Sequence, residues 1–244
     1  MLIKQILRHT GLTLIGILSF LLIFIAVSVA PVDRTPVEEL QSYQKMMGQL
    51  DSIRIEFPQA ERAFEVGFGK INITPDEPMA TAGYGKRRGK PYHLVHDSIY
   101  VRSLVLDNGA ERVAIVSADL LIIPPAVTEA LQSKLAAIGF SLDNTYLSAT
   151  HSHNSIGQWG KGATTILYGP YEDSVVHFIA DAIVASISEA AKNHLPSTLK
   201  AGAIAIPQAV HNRLIDGGEE DPFLRVLEVH RSDGSKLLLM TYAA

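Results

Sequence analysis

A strand–helix–strand pattern in the middle of the chain constrains the fold more than any other feature. Residues 112–118 and 145–150 have the apolar character of buried strands, and the segment between them, 125–138, carries apolar residues at helical spacing: Val127, Leu131, Leu135 and Ile138. A right-handed crossover of this kind places two parallel strands in one sheet. We therefore predict an α/β domain with a mixed central sheet that contains this βαβ unit.

Two histidines follow the second strand of this unit. Side chains two residues apart in an extended chain point to the same side, so His151 and His153 could converge on one metal ion or one substrate atom. A catalytic zinc ion normally has three protein ligands and a water molecule, so the pair would be only part of such a site. Asp119 ends the first strand and is expected at the same edge of the sheet. It could bind metal, orient an imidazole, or simply cap a helix or loop.

Further elements are predicted on both sides of the unit. Residues 172–193 have the pattern of a long amphipathic helix, with Val176, Ile179, Ile183 and Ile187 on one face. Alternating apolar residues predict additional strands at 64–73, 98–106, 199–206, 223–230 and 236–242.

The N-terminal segment has the composition of a membrane helix. Leu12 to Ala30 is a run of 19 residues without a charge, preceded by Lys4 and Arg8. As a helix it would be about 28 Å long, close to the thickness of the hydrocarbon core of a bilayer. The preceding positive charges place the rest of the chain on the extracytoplasmic side, in the periplasm or outside the cell. The small residues 28–30 also resemble a signal-peptide cleavage site, but Pro31 directly after them favours an uncleaved signal anchor.

We divide the chain into a signal anchor or transmembrane helix (1–30), a stalk or linker (31–60) and a globular domain (61–244). The chain has no cysteine, which excludes disulfides, thiolate metal ligands and a cysteine nucleophile. A net charge of -4 gives no support for nonspecific nucleic-acid binding, so no nucleic-acid partner is expected. No feature of the sequence indicates an oligomeric state.

A basic loop precedes the strand at 98–106. Its charges, Lys86 to Lys90, could meet anionic lipid headgroups, although a charge run this short is usually a solvated loop. His93 and His96 lie beside Asp97 and could act as substitute metal ligands, or they could be solvated loop residues.

Five motifs resemble those of the neutral/alkaline ceramidase family in order and spacing. They are Val-Gly-Phe-Gly-Lys-Ile-Asn-Ile-Thr-Pro at 66–75, Ala-Gly-Tyr-Gly at 82–85, Val-Ser-Ala-Asp-Leu at 116–120, Ser-Ala-Thr-His-Ser-His at 148–153 and His-Asn-Arg at 211–213. The resemblance covers about residues 64–244, and its most specific element is the Ala-Thr-His-x-His block. The chain is thus similar to the N-terminal catalytic region of that family.

The resemblance implies a zinc-dependent amidase that cleaves an N-acyl lipid such as ceramide into a fatty acid and a sphingoid base. By position, His151 looks like a zinc ligand and His153 like a catalytic residue that contacts the substrate or the developing oxyanion. Arg213 resembles the family's catalytic, substrate-orienting arginine. Substrate contacts are further implied at Gly83, Tyr84 and Asn154.

The sequence departs from the family pattern in two places. Residues 154–157 are Asn-Ser-Ile-Gly, where the family has Ser-Gly-Pro-Gly, so the resemblance does not define the lipid-specific part of the pocket. In the family, a strand like 237–244 leads into the second zinc histidine, and later segments supply a glutamate and a tyrosine ligand. We therefore expect an N-terminal fragment whose own activity is open. Two alternatives remain: another metal-dependent hydrolase with a different amide or ester substrate, and a catalytically inactive surface-binding module.

Overall fold

The computed structural model describes residues 2–28, 34–52 and 63–243. The chain forms two compact units, residues 1–57 and 58–244. In the first unit, helix α1 covers Leu2–Ser28 and helix α2 covers Gln41–Ser52, with a 3-10 turn at Val37–Glu39 before α2.

Helix α1 confirms the predicted N-terminal apolar helix. Its segment His9–Ser28 has a mean hydropathy of 2.5 and is not buried against other residues of the protein. Residues 31–33 and 53–60 of the predicted stalk lie outside the described residues. The described part of the stalk is largely the helix α2, whose amphipathic sequence buries no side chain.

The second unit is built on one seven-stranded sheet with the strand order β4-β3-β2-β1-β5-β6-β7. The strands are β1 Glu65–Asn72, β2 Tyr100–Asp107, β3 Arg112–Ala118, β4 Thr145–Ala149, β5 Leu195–Ala205, β6 Phe223–Arg231 and β7 Lys236–Thr241. The helices are α3 Pro125–Ala136, α4 Thr165–Tyr168 and α5 Asp173–Lys192.

The predicted βαβ unit is present. Strands β3 and β4 pair in parallel, from Ala114 opposite Thr145 to Ala118 opposite Ala149. All other neighbouring strands pair antiparallel, so the sheet is mixed, as the sequence predicted. The carboxyl ends of β3 and β4 therefore lie side by side at one edge of the sheet.

Helix α3 ends two residues before the predicted boundary. Gly139 has φ 77°, and the Phe140 amide donates to the Leu135 carbonyl across the turn at 3.0 Å. A residue in the left-handed conformation just after a helix stops it, and glycine takes this conformation without a steric cost.

Helix α5 packs closely on the sheet because two strand residues facing it are glycines. A Cβ atom at Gly67 would lie 1.8 Å from the Ala190 carbonyl oxygen, and one at Gly69 would lie 2.0 Å from that of Ser186. Four apolar side chains of the helix are buried in the core, as predicted: Val176, Ile179, Ile183 and Ile187. Each such burial contributes about 1.5–3 kcal/mol.

This packing also explains the composition of α5. The helix is long and apolar enough to cross a membrane, with a mean hydropathy of 1.4, but 44% of its apolar window is buried inside the domain. Its hydrophobic face belongs to the core between the sheet and α3. Helix α5 is therefore a core helix.

Candidate active site

His151 lies directly after β4 in a left-handed backbone conformation, with φ 58°. On one side of it the Thr150 amide donates to the Ala118 carbonyl at 2.9 Å, and on the other the Ser152 amide donates to the Leu120 carbonyl at 3.0 Å. A non-glycine residue in this conformation costs about 1–2 kcal/mol. The two backbone hydrogen bonds hold the turn against this cost and end the strand at Ala149, one residue before the predicted end.

The imidazole of His151 is oriented by a backbone carbonyl. Its Nδ1 atom lies 2.9 Å from the Leu121 carbonyl oxygen. Because a carbonyl oxygen only accepts, Nδ1 must carry the hydrogen, which leaves Nε2 of the neutral ring with a lone pair. Metal-binding histidines are commonly held in this way, with one ring nitrogen donating to a carbonyl and the other facing the metal.

His153 lies beside His151 and is enclosed by the glycine-rich loop. The two imidazole rings meet edge to face, with centroids 5.2 Å apart. The Tyr84 ring stacks on His153 at 4.6 Å, and Gly83 packs so closely that a Cβ atom there would lie 2.1 Å from His153 Nδ1. That Nδ1 atom is buried and has no hydrogen-bond partner among the described residues. A buried, unpaired polar atom is uncommon and is often found where a group binds a ligand or transfers a proton.

Arg87 fixes the chain segment that contains His153. Its Nη1 donates to the His153 carbonyl at 2.6 Å and to the Thr81 hydroxyl at 2.7 Å, and its Nη2 donates to Asn154 Oδ1 at 2.6 Å. The guanidinium also lies 4.9 Å from the centre of the Tyr84 ring. Gly83, Tyr84 and Asn154, the three positions implied as substrate contacts, are thus brought together around His153, and whether they touch a substrate stays a prediction.

Asp119 lies at the predicted edge but contacts strand ends. Its Oδ2 accepts from the Tyr100 amide at 2.9 Å and from Arg102 Nη1 at 2.8 Å, and its Oδ1 accepts from the Thr150 hydroxyl at 3.4 Å. Within the described part of the chain, no contact joins its carboxylate to either histidine. Asp119 ties together the ends of β2 and β3 and the residue before His151, while a role toward metal stays a prediction.

Arg213 is exposed in the connection between β5 and β6. Asn212 builds the turn there, since its Oδ1 accepts from the amides of Leu214 and Ile215, both at 3.1 Å. The described contacts do not link Arg213 to the histidine pair. Its substrate-orienting role stays a prediction.

Sequence reasoning missed two groups of the site. Arg87 stands in a basic run with three other cations nearby, and nothing in the run distinguishes it from them. The Leu121 carbonyl is a backbone atom, so residue type carries no information about it. Only the fold brings these two groups to the histidines.

The described residues supply an incomplete metal site. Across residues 2–28, 34–52 and 63–243, no three His, Asp or Glu side chains converge in a way that could hold a metal ion. His93 and His96 accordingly do not complete a ligand set with the histidine pair. His96 instead pairs with Asp97 at 2.7 Å, and this hydrogen bond and the carboxylate charge raise the pKa of His96.

A cavity of about 840 Å³ lies next to the histidine segment. Ser152 and Asn154 line it, whereas His151 and His153 do not. The cavity therefore adjoins the histidine pair without containing either ring.

Fold and site together define an α/β protein in which a histidine pair follows the edge strand of a mixed sheet. The model of the neutral/alkaline non-lysosomal ceramidase family, N-terminal region, matches residues 64–222. This match covers more than half of the chain, and the chain belongs to that family. The family predicted from the sequence motifs is thereby confirmed.

Solved structures of ceramidases also resemble the chain, and two of them are described here. One is a neutral ceramidase from Pseudomonas aeruginosa, with a TM-score of 0.65 and 22% identity over 75% of this chain and 32% of that one. The other is described as a ceramidase complexed with C2, with a TM-score of 0.64 and 22% identity over 75% of this chain and 31% of that one. At this identity the likeness shows the fold. The chain spans about a third of the length of these proteins.

Proposed function

We propose that this chain carries part of the active site of a zinc-dependent amidase that hydrolyses an N-acyl lipid such as ceramide to a fatty acid and a sphingoid base. Membership of the ceramidase family supports a hydrolase of this kind. The observation that carries the proposal is the contact between His151 Nδ1 and the Leu121 carbonyl, because it leaves Nε2 as a preoriented metal donor.

His151 fits zinc as one ligand of a larger set. Imidazole nitrogen is a preferred zinc ligand, and the remaining ligands would come from other segments. Zinc, when bound, polarises the amide carbonyl and lowers the pKa of a water molecule toward about 7.

The role of His153 in this proposal is to stabilise the oxyanion or to carry a proton on its imidazole ring. Tyr84 and Gly83 hold the ring on one side, and Arg87 holds its backbone carbonyl. Because the ring is already fixed, it loses little conformational entropy when the substrate reacts, and this preorganisation favours catalysis. Arg213 would orient the substrate.

The proposal includes export and a membrane anchor in residues 1–30, a stalk in 31–60 and the N-terminal part of a ceramidase-like catalytic domain in 61–244. Support comes from the exposed apolar helix α1, which is long enough to span a bilayer. An anchor would hold the site near a lipid substrate. If this is correct, the full chain sediments with membranes and resists carbonate extraction, whereas a chain lacking residues 2–28 does not.

The catalytic proposal is tested with a protein that contains this chain together with the segments that supply the remaining zinc ligands, in the presence of zinc and a fluorescent N-acyl sphingoid lipid. We expect a chelator to abolish hydrolysis, and His151→Ala and His153→Ala to reduce it by about 100-fold or more. His177→Ala serves as the control, because this exposed histidine of α5 pairs with Asp173. Bound zinc, measured by elemental analysis, should fall in His151→Ala and stay unchanged in the control.

Three other outcomes would contradict parts of this proposal. Hydrolysis of a different amide or ester, but not of the N-acyl lipid, would replace the substrate class. Stoichiometric zinc that is independent of His151 would contradict the assignment of the ligand. An absence of both zinc and hydrolysis would favour an inactive surface-binding module.

A further inference from the structure

The cavity beside the histidine segment has a cationic lining. Lys86, Arg87 and Lys90 all contribute to its wall. Within the described ranges, none of these three side chains has an Asp or Glu within ion-pair distance. Among the described residues that line the wall, Asp97 is the one carboxylate, and it pairs with His96 at 2.7 Å. A chain with a net charge of -4 therefore concentrates unpaired positive charge at one place.

Of the three cations, Arg87 has the greatest need of a counter-ion, because its side chain is half-buried. All of its described acceptors are uncharged oxygens: the Thr81 hydroxyl, the His153 carbonyl and the Asn154 amide oxygen. A partly buried cation without a counter-ion is costly. An anion in the cavity would lower that cost.

The same cavity has an apolar part that includes Pro75, Met79, Leu94, Val95, Ile99 and Ile156. Two of these side chains are exposed to solvent: Leu94 is 81% exposed and Val95 is 43% exposed. Apolar side chains beside a cationic cluster match a ligand that has an anionic end and a hydrocarbon chain.

We propose that this cavity binds an anionic amphiphile, with its carboxylate or phosphate at Lys86, Arg87 and Lys90 and its hydrocarbon chain along the apolar wall. This site is separate from the histidine rings, which do not line the cavity, and it exists whether or not the proposed hydrolysis takes place. Arg87 links the two places, because the same guanidinium that lines the cavity holds the His153 carbonyl.

Such a ligand has two chemical sources. It is either a free fatty carboxylate or the headgroup of an anionic lipid in a bilayer. Both present a negative charge on a hydrocarbon chain, so the shared chemistry defines the site. Their different physical states allow an experiment to separate them.

The test is photolabelling of the full chain in nanodiscs of zwitterionic lipid. The probe is decanoic acid with a diazirine in its chain, and the matched neutral probe is its primary amide. Labelled peptides are identified by mass spectrometry. We expect the acid to label the segment 75–99, and to do so about tenfold more than the amide, because the cations favour only the charged probe.

Charge reversal provides the second readout. Lys86→Glu/Lys90→Glu should weaken labelling of this segment by about tenfold or more, since both side chains are exposed and their removal leaves the core unchanged. Lys45→Glu is the control, because Lys45 is an exposed residue of α2 in the other unit. A melting curve checks that the double variant is folded.

Competitors then assign the source. Displacement by free decanoate alone supports a fatty carboxylate, and displacement by phosphatidylglycerol in the disc supports a lipid headgroup. Displacement by inorganic phosphate at the same concentration would overturn the requirement for a hydrocarbon chain. Equal labelling by the acid and the amide, or labelling confined to residues 9–28, would overturn the proposal.

Discussion

Replacing Gly83 with alanine tests how tightly the loop encloses His153. Gly83 has φ 107°, and a Cβ atom there would lie 2.1 Å from His153 Nδ1 and 2.8 Å from Cγ. Two costs follow. The backbone conformation costs an alanine about 1–2 kcal/mol, and the overlap forces the ring to move at a further cost of about 1–3 kcal/mol. We expect Gly83→Ala to lower the free energy of unfolding by about 2–5 kcal/mol.

Gly139→Ala is the matched control, because Gly139 also has a positive φ, 77°, but a Cβ atom there would have no other atom within 4 Å. It should cost only the backbone contribution, about 1–2 kcal/mol. Both free energies are measured by urea unfolding. Removing the ring in Gly83→Ala/His153→Ala should recover the overlap contribution, which gives a coupling energy of about 1–3 kcal/mol in a double-mutant cycle.

The reasoning would be refuted if Gly83→Ala and Gly139→Ala lowered stability equally, or if the coupling energy between positions 83 and 153 were zero. Either result would mean that the ring of His153 is not held by the loop. The proposed positioning of its imidazole ring would then lose its structural basis.

Three further predictions concern the loop, the core and the cavity rim. Arg87→Lys keeps the charge but loses the forked geometry, and should lower the free energy of unfolding, measured with urea, by about 1–3 kcal/mol. The control Arg88→Lys should change it by less than about 0.5 kcal/mol. Equal effects would contradict the role of Arg87 in holding the His153 segment. Ile183→Ala removes a fully buried side chain and should lower the free energy of unfolding by about 2–5 kcal/mol in the same assay. Phe178 is exposed, so Phe178→Ala should lower it by about 1 kcal/mol or less. Burial and the carboxylates of Glu77 and Asp76 raise the pKa of Tyr92 above its ordinary value of 10.0, so its contribution to stability is present below pH 10 and is lost as the pH rises through the folded-state pKa. The absorbance at 295 nm of the wild type minus that of Tyr92→Phe should therefore titrate above pH 10, and a midpoint at or below 10 would contradict this.

Much of the fold could be predicted from sequence periodicity. The segments 112–118 and 145–150 became the parallel pair β3 and β4 because apolar runs on both sides of an amphipathic helix have one favourable arrangement. The end of α3 was placed two residues late, since the apolar pattern continues through Ile138 while Gly139 sets the stop. The apolar pattern alone does not show that the glycine ends the helix before the pattern does.

The site could be predicted only in part. The approach of His151 and His153 was expected from an extended chain, yet the structure brings the rings together through a left-handed turn at His151. Periodicity carries no information about such a turn, because it is held by hydrogen bonds to Ala118 and Leu120 on another strand and the loop after it. Arg87 was missed for a related reason, since its partners are the Thr81 hydroxyl and groups 66 and 67 residues later in the chain.

The central claim is that His151 offers Nε2 to a metal ion, and ¹⁵N NMR of the imidazole rings tests it most directly. With the full chain labelled at histidine and His151→Ala used for assignment, the spectrum reports which nitrogen carries the hydrogen. The account predicts that His151 is protonated at Nδ1, as its bond to the Leu121 carbonyl requires, and that added zinc shifts its Nε2 resonance but not that of His177. A hydrogen on Nε2, or a ring unaffected by zinc, would contradict it.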